Sequence, residues 1–198
     1  LNIYGNKFEN KCRVIYPFIS DDYLKLNLET KNQILYVGGR QKYKNFNNVV
    51  MAISKIKNHK LKIVGGGILN NNEKLFLNNY LGDRYEHVGF ISNKKLNIEY
   101  NRSKCLVYCS NYEGFGIPII EAMKSGCPVI VKNGSSIDEV VNNSGLMLKT
   151  ADPAEIAEAI KGFDDLNLRN KFIKIGIENS YRFTTSKLIK NYNMLYSL

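Results

Sequence analysis

Short apolar runs that close on glycine alternate along this chain with helix-spaced apolar positions. QILYVGG (33–39) is one such run, and behind it NVVMAISKIKN (48–58) carries apolar residues three and four apart. LKIVGGG (61–67) repeats the strand-to-glycine ending, and a polar helix follows near 72–80. YEHVGF (85–90) reads as a short strand, 92–102 as a helix, and CLVYCS (105–110) as a strand buried on both faces. PVIV (128–131) and GLMLK (145–149) are two further strands. In ADPAEIAEAIKGF, Asp152 is placed to cap a helix that has Pro153 at its first position, and helices near 165–180 and 184–197 finish the chain. Short, continuously apolar strands alternating with helices predict a parallel sheet covered on both faces, an α/β doubly wound Rossmann-like domain. No linker, repeat or low-complexity segment divides the 198 residues.

One stretch breaks the simple pattern. NYEGFGIPIIEAMKSGCPVIV (111–131) sets Glu113 and Glu121 on either side of a Gly-Phe-Gly turn that opens a helix. Pro118 suits the first turn of that helix, where its missing N–H is not needed. Ile119, Ala122 and Met123 form its core face, and Gly126 ends it.

In a parallel α/β sheet, ligands bind beyond the carboxyl ends of the strands. That rule gathers the Gly38-Gly39-Arg40 ending with Lys44, the Gly65-Gly66-Gly67 ending and the Glu113-Gly114-Phe115-Gly116 turn onto one rim. Arg40 and Lys44 suit a diphosphate, though two solvated loop cations would look the same. The helix opening at Ile117 aims its positive end at the rim, and Gly114 and Gly116 let a ligand approach the backbone. Glu121, one turn in, can accept two hydrogen bonds from a vicinal diol, and Glu113 can reach a sugar hydroxyl across the phosphates. The alternative is a glutamate favouring the helix dipole and a second, solvated one. IVGGGILN lacks the third glycine of a dinucleotide fingerprint, the position being Asn70, and no Gly-Lys-Ser/Thr follows to make a P-loop.

Composition narrows the partners. Lys+Arg 28 against Asp+Glu 18 gives a formal charge of +10, which favours anionic ligands or peripheral contact with an anionic membrane, or simply a solvated surface. The cations are dispersed, arguing against nucleic acid. The four cysteines and two histidines make no zinc spacing, so no metal site is expected, and reduced, mostly buried thiols imply a cytoplasmic protein. No membrane-length apolar run or signal-peptide start occurs, and a chain beginning at Leu1 reads as a fragment.

E-G-F-G-I-P-I-I-E-A-M-x-x-G-C-P-V-I resembles the E-x7-E signature of family 4 retaining glycosyltransferases of GT-B architecture. LYVGGRQKYKNF is similar to their first strand with its phosphate-gripping Arg and Lys, although the two lie closer together here than in many members. HVGFISNKKLNIEYNRSKCLVYCS is similar to their next strand–helix–strand, and RFTTSKLIKNYNMLYSL to their closing helix. The resemblance runs from about RVIYPF onward and implies the C-terminal, donor-binding half of such an enzyme, residues 1–198. Residues 1–30 would be an interdomain-side leading segment and 184–197 the closing helix, while the N-terminal acceptor domain has no counterpart in the chain. It further implies that Arg40 and Lys44 hold the diphosphate of a UDP-, GDP- or ADP-sugar, with Gly38, Gly39 and Gly66 on the same rim. Glu121 would take the ribose and Glu113 the transferred sugar, and Gly114, Phe115, Gly116 and Ile117 would line both by backbone. No cofactor or metal is implied, and the acceptor would be a glycan or lipid-linked sugar reached through the missing domain, at the inner membrane face. A non-catalytic nucleotide-sugar-binding module, a GT-B sugar-nucleotide epimerase and a glycogen-synthase-like enzyme share these features.

Overall fold

The structure, a computed structural model, describes residues 12–134 and 136–196. Six strands form one parallel sheet: β1 (Gln33–Val37), β2 (Lys60–Val64), β3 (Tyr85–His87), β4 (Cys105–Tyr108), β5 (Val129–Lys132) and β6 (Leu146–Leu148). Their order is β3-β2-β1-β4-β5-β6. The chain steps outward from β1 to β2 and β3, then crosses back to lay β4 on the free side of β1, so Ile34 pairs with Leu61 on one side and Cys105 on the other. That reversal is the topological switch point, and its carboxyl end is where a doubly wound sheet opens a crevice.

Side chains of successive strand residues alternate between two apolar layers. On one face Ile34 and Tyr36 pack with α1 (Phe46–Ser54), α2 (Asn71–Leu81) and α6 (Pro153–Gly162), through Val50, Ile53, Leu77 and Ile156. On the other, Leu35 joins α3 (Asn93–Arg102), α4 (Ile117–Lys124) and α5 (Ile137–Val141), through Leu96, Tyr100, Ile120 and Val140. β4 is buried at every position, as a strand covered on both faces must be. Two longer helices, α7 (Leu166–Ser180) and α8 (Thr185–Tyr196), close the chain.

The ends of the helices follow local chemistry. Gly126 sits at φ 72 beyond α4, where Gly126 N–H donates to the Met123 carbonyl (3.0 Å) and Cys127 N–H to that of Ala122 (2.8 Å). Asp152 caps α6 by accepting from Ala154 N–H at 2.7 Å. Residues 12–30 have no regular structure, yet Tyr16, Ile19 and Tyr23 pack on the second apolar layer. Two asparagines of α3 hold part of this backbone: Leu24 N–H donates to Asn97 (3.1 Å) and Leu26 N–H to Asn101 (2.6 Å), while Ile19 N–H donates to the Phe183 carbonyl (3.0 Å).

Two readings are corrected. The strand drawn through YEHVGF stops at His87 because the backbone turns at Gly89, φ 62, which puts Phe90 in a loop. α5 was not anticipated, since five residues are too few to show a period. No residue of the closing helix α8 is buried, so its helix-spaced Leu188, Tyr192 and Leu195 stand off the core, as expected of a closing helix without its partner domain. Cys105, Cys109 and Cys127 are buried as expected, and Cys12 is exposed. Residues 1–11 of the leading segment lie outside the described residues. Among the described residues no helix is long and apolar enough to cross a membrane.

Candidate functional site

Three loops do converge at the carboxyl rim of β1, β2 and β4. Gly38 N–H donates to the Val64 carbonyl (2.9 Å), Asn111 N–H to the Tyr43 carbonyl (2.7 Å), and Ser136 Oγ to the Glu113 carbonyl (2.8 Å). Asn45, in the left-handed region at φ 54, turns its amide onto the Cys109 carbonyl at 2.8 Å and so ties the β1 loop to the β4 loop.

Arg40 is placed differently from a cation waiting for a ligand. Its side chain is 4% exposed, with Nε donating to Glu73 Oε1 at 2.8 Å and Nη1 to the Gly65 carbonyl at 3.2 Å. Nη2 reaches the carbonyls of Gly67 (3.3 Å) and Ile68 (3.2 Å) and the second Glu73 oxygen (3.4 Å). The guanidinium therefore staples the β1 loop to the β2 loop. Glu73 also completes a reciprocal cap on α2, accepting from Asn70 N–H (2.9 Å) while Asn70 Oδ1 accepts from Glu73 N–H (2.9 Å). The residue that spoils the dinucleotide fingerprint thus has its own task. Arg40 beside Glu73 holds that carboxyl below its ordinary range, with the Asn70 backbone N–H helping.

Lys44 and Glu113, 69 residues apart, form a direct ion pair in which the side chains are 14% and 11% exposed. Lys44 Nζ also lies 3.4 Å from the Tyr108 hydroxyl and over the rings of Tyr43 and Tyr108, 5.3 and 5.4 Å from their centroids. Burial pushes the Tyr108 hydroxyl up, with Glu113 adding to it, so Tyr108 stays a neutral donor. Beneath them Tyr36 donates to the Gly39 carbonyl at 2.5 Å.

Glu121 is set deeper. It accepts from the Tyr100 hydroxyl at 2.9 Å, and the Tyr23 hydroxyl is a second partner. Burial raises its carboxyl above the ordinary range, and the two tyrosine hydroxyls work against that rise. At the start of α4, Gly116 adopts φ 92, and a Cβ there would sit 3.0 Å from Ile119 Cδ1 and 3.1 Å from Ile137 Cδ1. Only glycine fits that turn. Phe115 leaves the rim surface to pack against Tyr16 and Phe183, with ring centroids 6.1 and 5.7 Å away.

Two grooves flank the Gly38–Arg40 loop. One, of about 380 Å³, is walled by Val37, Gly38, Gly39, Gly66, Phe90 and Ile91, with Phe90 84% exposed. The other, of about 660 Å³, is lined by Arg40, Lys42, Asn45, Phe46, Asn48 and Glu73. A cavity of about 530 Å³ between Lys25 and α7 includes no residue of this rim.

The family described as glycosyl transferases group 1 matches residues 22–179, which hold every rim residue above except Tyr16 and Phe183. The chain belongs to this family. O-antigen chain mannosyltransferase RfbU of Salmonella typhimurium is 32% identical over 165 residues, 81% of this chain and 46% of that protein. Sucrose-phosphate synthase from Thermosynechococcus elongatus superposes with TM-score 0.80 at 25% identity, over 93% of this chain and 52% of its own. The C-terminal domain of the group 1 glycosyl transferase LpcC from Francisella tularensis superposes with TM-score 0.71 at 18% identity, over 84% of this chain and 100% of that domain. This group 1 glycosyl transferase chain therefore spans about half the length of the first two and matches the third across the whole domain.

Sequence reasoning named Lys44, Glu113, Glu121 and the glycines as candidates, but not Glu73, Tyr100 or Tyr108. Each of these acts through a partner more than twenty residues away, at a spacing no local motif records. Phe90 had a local signal: an aromatic directly after a glycine, at the end of too short an apolar run.

Proposed function

We propose that this chain is the donor-binding half of a retaining glycosyltransferase that moves a hexose, with mannose the leading candidate, from a nucleoside-diphosphate sugar to a cell-surface glycan or lipid-linked acceptor. The observation that carries the reading is the convergence of Lys44, Glu113 and the positive end of α4 at the β1/β4 switch point. The mannosyltransferase relative supports the choice of sugar.

On this reading the diphosphate lies across the Gly114–Ile117 turn, facing the α4 dipole and the Lys44 ammonium. Its charge replaces that of Glu113 on Lys44, freeing the carboxylate to accept a hydroxyl of the transferred sugar. Glu121 accepts the ribose hydroxyls, and the groove beside Phe90 takes the flat base. Arg40 holds the β1 and β2 loops in register, and gripping phosphate would require it to leave Glu73.

In transfer, the acceptor oxygen bonds to the anomeric carbon as the bond from that carbon to the diphosphate breaks. The acceptor proton passes to the leaving phosphate oxygen, so no separate base is needed. Lys44 offsets the charge that builds on the leaving group. Holding the acceptor against the donor falls to the part of the enzyme outside this chain. The proposed donor binding is metal-independent, with the Lys44 ammonium and the positive end of α4 offsetting the diphosphate charge. The charge of +10 supports work at an anionic inner membrane face.

Calorimetric titration with UDP, GDP and ADP, with and without chelator, tests the reading. Losing one charged hydrogen-bonding partner costs about 1.5–3 kcal/mol, so Lys44→Ala should weaken the preferred diphosphate by roughly 10- to 150-fold. Wild-type affinity in Lys44→Ala, or binding abolished by chelator and restored by manganese, would refute it.

A further inference from the structure

Glu121 poses a problem that the donor reading leaves open. It is half-buried on α4, where α3 packs against the helix. An ionised carboxylate there loses hydration and is disfavoured unless donors replace the water. Two tyrosines face it. Tyr100, from α3, is wholly buried and donates to Glu121 Oε2 at 2.9 Å. Tyr23, from the leading segment, is 2% exposed and meets the Tyr100 ring edge-on, centroids 6.0 Å apart at 65°.

Packing does not explain these hydroxyls. Phenylalanine at both positions would fill the same space beside Leu35, Leu106 and Ile120 without burying an oxygen. What the hydroxyls supply is a fixed number of hydrogen bonds. An ionised carboxylate offers about four lone-pair sites. The Tyr100 hydroxyl takes one, the Tyr23 hydroxyl stands beside it for a second, and the two that remain are the number a vicinal diol requires. The leading segment that carries Tyr23 is itself held in place: Lys124 of α4 donates to the Ser20 carbonyl at 3.1 Å and pairs with Asp21 at 2.7 Å.

We propose that Tyr100 and Tyr23 are positioning residues for donor recognition, orienting the Glu121 carboxylate so that its outward lone pairs meet the two hydroxyls of the donor ribose. This rests on the assignment of Glu121 to the ribose. It gives residues 12–30 a part in the donor site without touching the donor, because Tyr23 acts through Glu121.

Titrations of UDP, GDP and ADP against their 2′,3′-dideoxy counterparts test it, using wild type, Tyr100→Phe, Tyr23→Phe and Glu121→Ala. Circular dichroism and thermal melts confirm that each variant folds. Tyr100→Phe is expected to weaken the preferred ribonucleotide roughly ten-fold and to leave its dideoxy form unchanged. Tyr23→Phe is expected to act in the same direction, and it decides the matter alone if Tyr100→Phe does not fold. A merely structural tyrosine would weaken both nucleotides equally, and that result overturns the proposal. So does wild-type behaviour of both phenylalanine variants while Glu121→Ala loses the ribo/dideoxy distinction. If Glu121→Ala keeps that distinction, the ribose assignment itself fails, and the positioning role with it.

Discussion

Replacing Gly66 with alanine is expected to do more harm than the same change at Gly67, its neighbour in the β2 loop. Both glycines hold φ +73, so alanine at either costs about 1–2 kcal/mol of left-handed backbone strain. At Gly67 the new methyl meets nothing within 4 Å. At Gly66 it would lie 2.3 Å from Arg40 Nη1 and 2.7 Å from the Gly38 carbonyl. The backbone contact cannot yield cheaply, and the guanidinium must move off the Gly65 carbonyl. Losing that charge-assisted bond adds about 1.5–3 kcal/mol, making roughly 2.5–5 kcal/mol in all. For a chain of this size each kcal/mol lowers Tm by about 2–4 °C. Gly67→Ala should therefore melt about 2–8 °C below wild type, and Gly66→Ala about 5–20 °C below. Differential scanning calorimetry measures both, and a diphosphate titration reports whether the rim has shifted. Equal melting losses in the two variants would show that Arg40 does not staple these loops.

Breaking the Lys44–Glu113 pair from one side leaves a mostly buried charge unpaired, so Lys44→Met or Glu113→Gln alone should cost about 3–5 kcal/mol. The double variant should cost less than the sum by urea unfolding, and strict additivity would mean that the pair does not couple. His59 pairs through Nε2 with Lys104 at 3.1 Å, and its Nδ1 has no partner. Burial holds its pKa below the ordinary value and Lys104 lowers it further, so the unfolded chain binds the extra proton first. Stability from this group is complete above about pH 6.5 and falls as the pH drops through the folded value. Urea midpoints of wild type and His59→Asn between pH 8 and 5 should converge toward the acid end, and parallel curves would exclude the effect. The Cys109 and Cys127 thiols are pushed by burial up to about 12, and Cys105 is raised too, so the native chain should show one fast thiol toward Ellman's reagent, Cys12, and four after unfolding.

Local chemistry settled much of this molecule in advance. The β4 run CLVY has no polar position, so it had to lie inside a sheet covered on both faces, and the helices between such strands made that sheet parallel. Pro118, Gly126 and Asp152 mark helix ends because missing N–H groups, left-handed turns and side-chain caps act within four residues. The rim followed from the carboxyl-end rule, which needs only the direction of each strand. Distance along the chain hid the rest. Arg40 reads as a free cation until the fold brings Glu73 and three carbonyls of the β2 loop to it. Lys44 and Glu113 read as separate charges until β4 lies beside β1. Glu121 reads as a solvated helix residue until α3 and the leading segment bring tyrosines against it. Desolvation and pairing depend on which side chains share a volume, and that volume exists only once the sheet has closed over residues far apart in sequence.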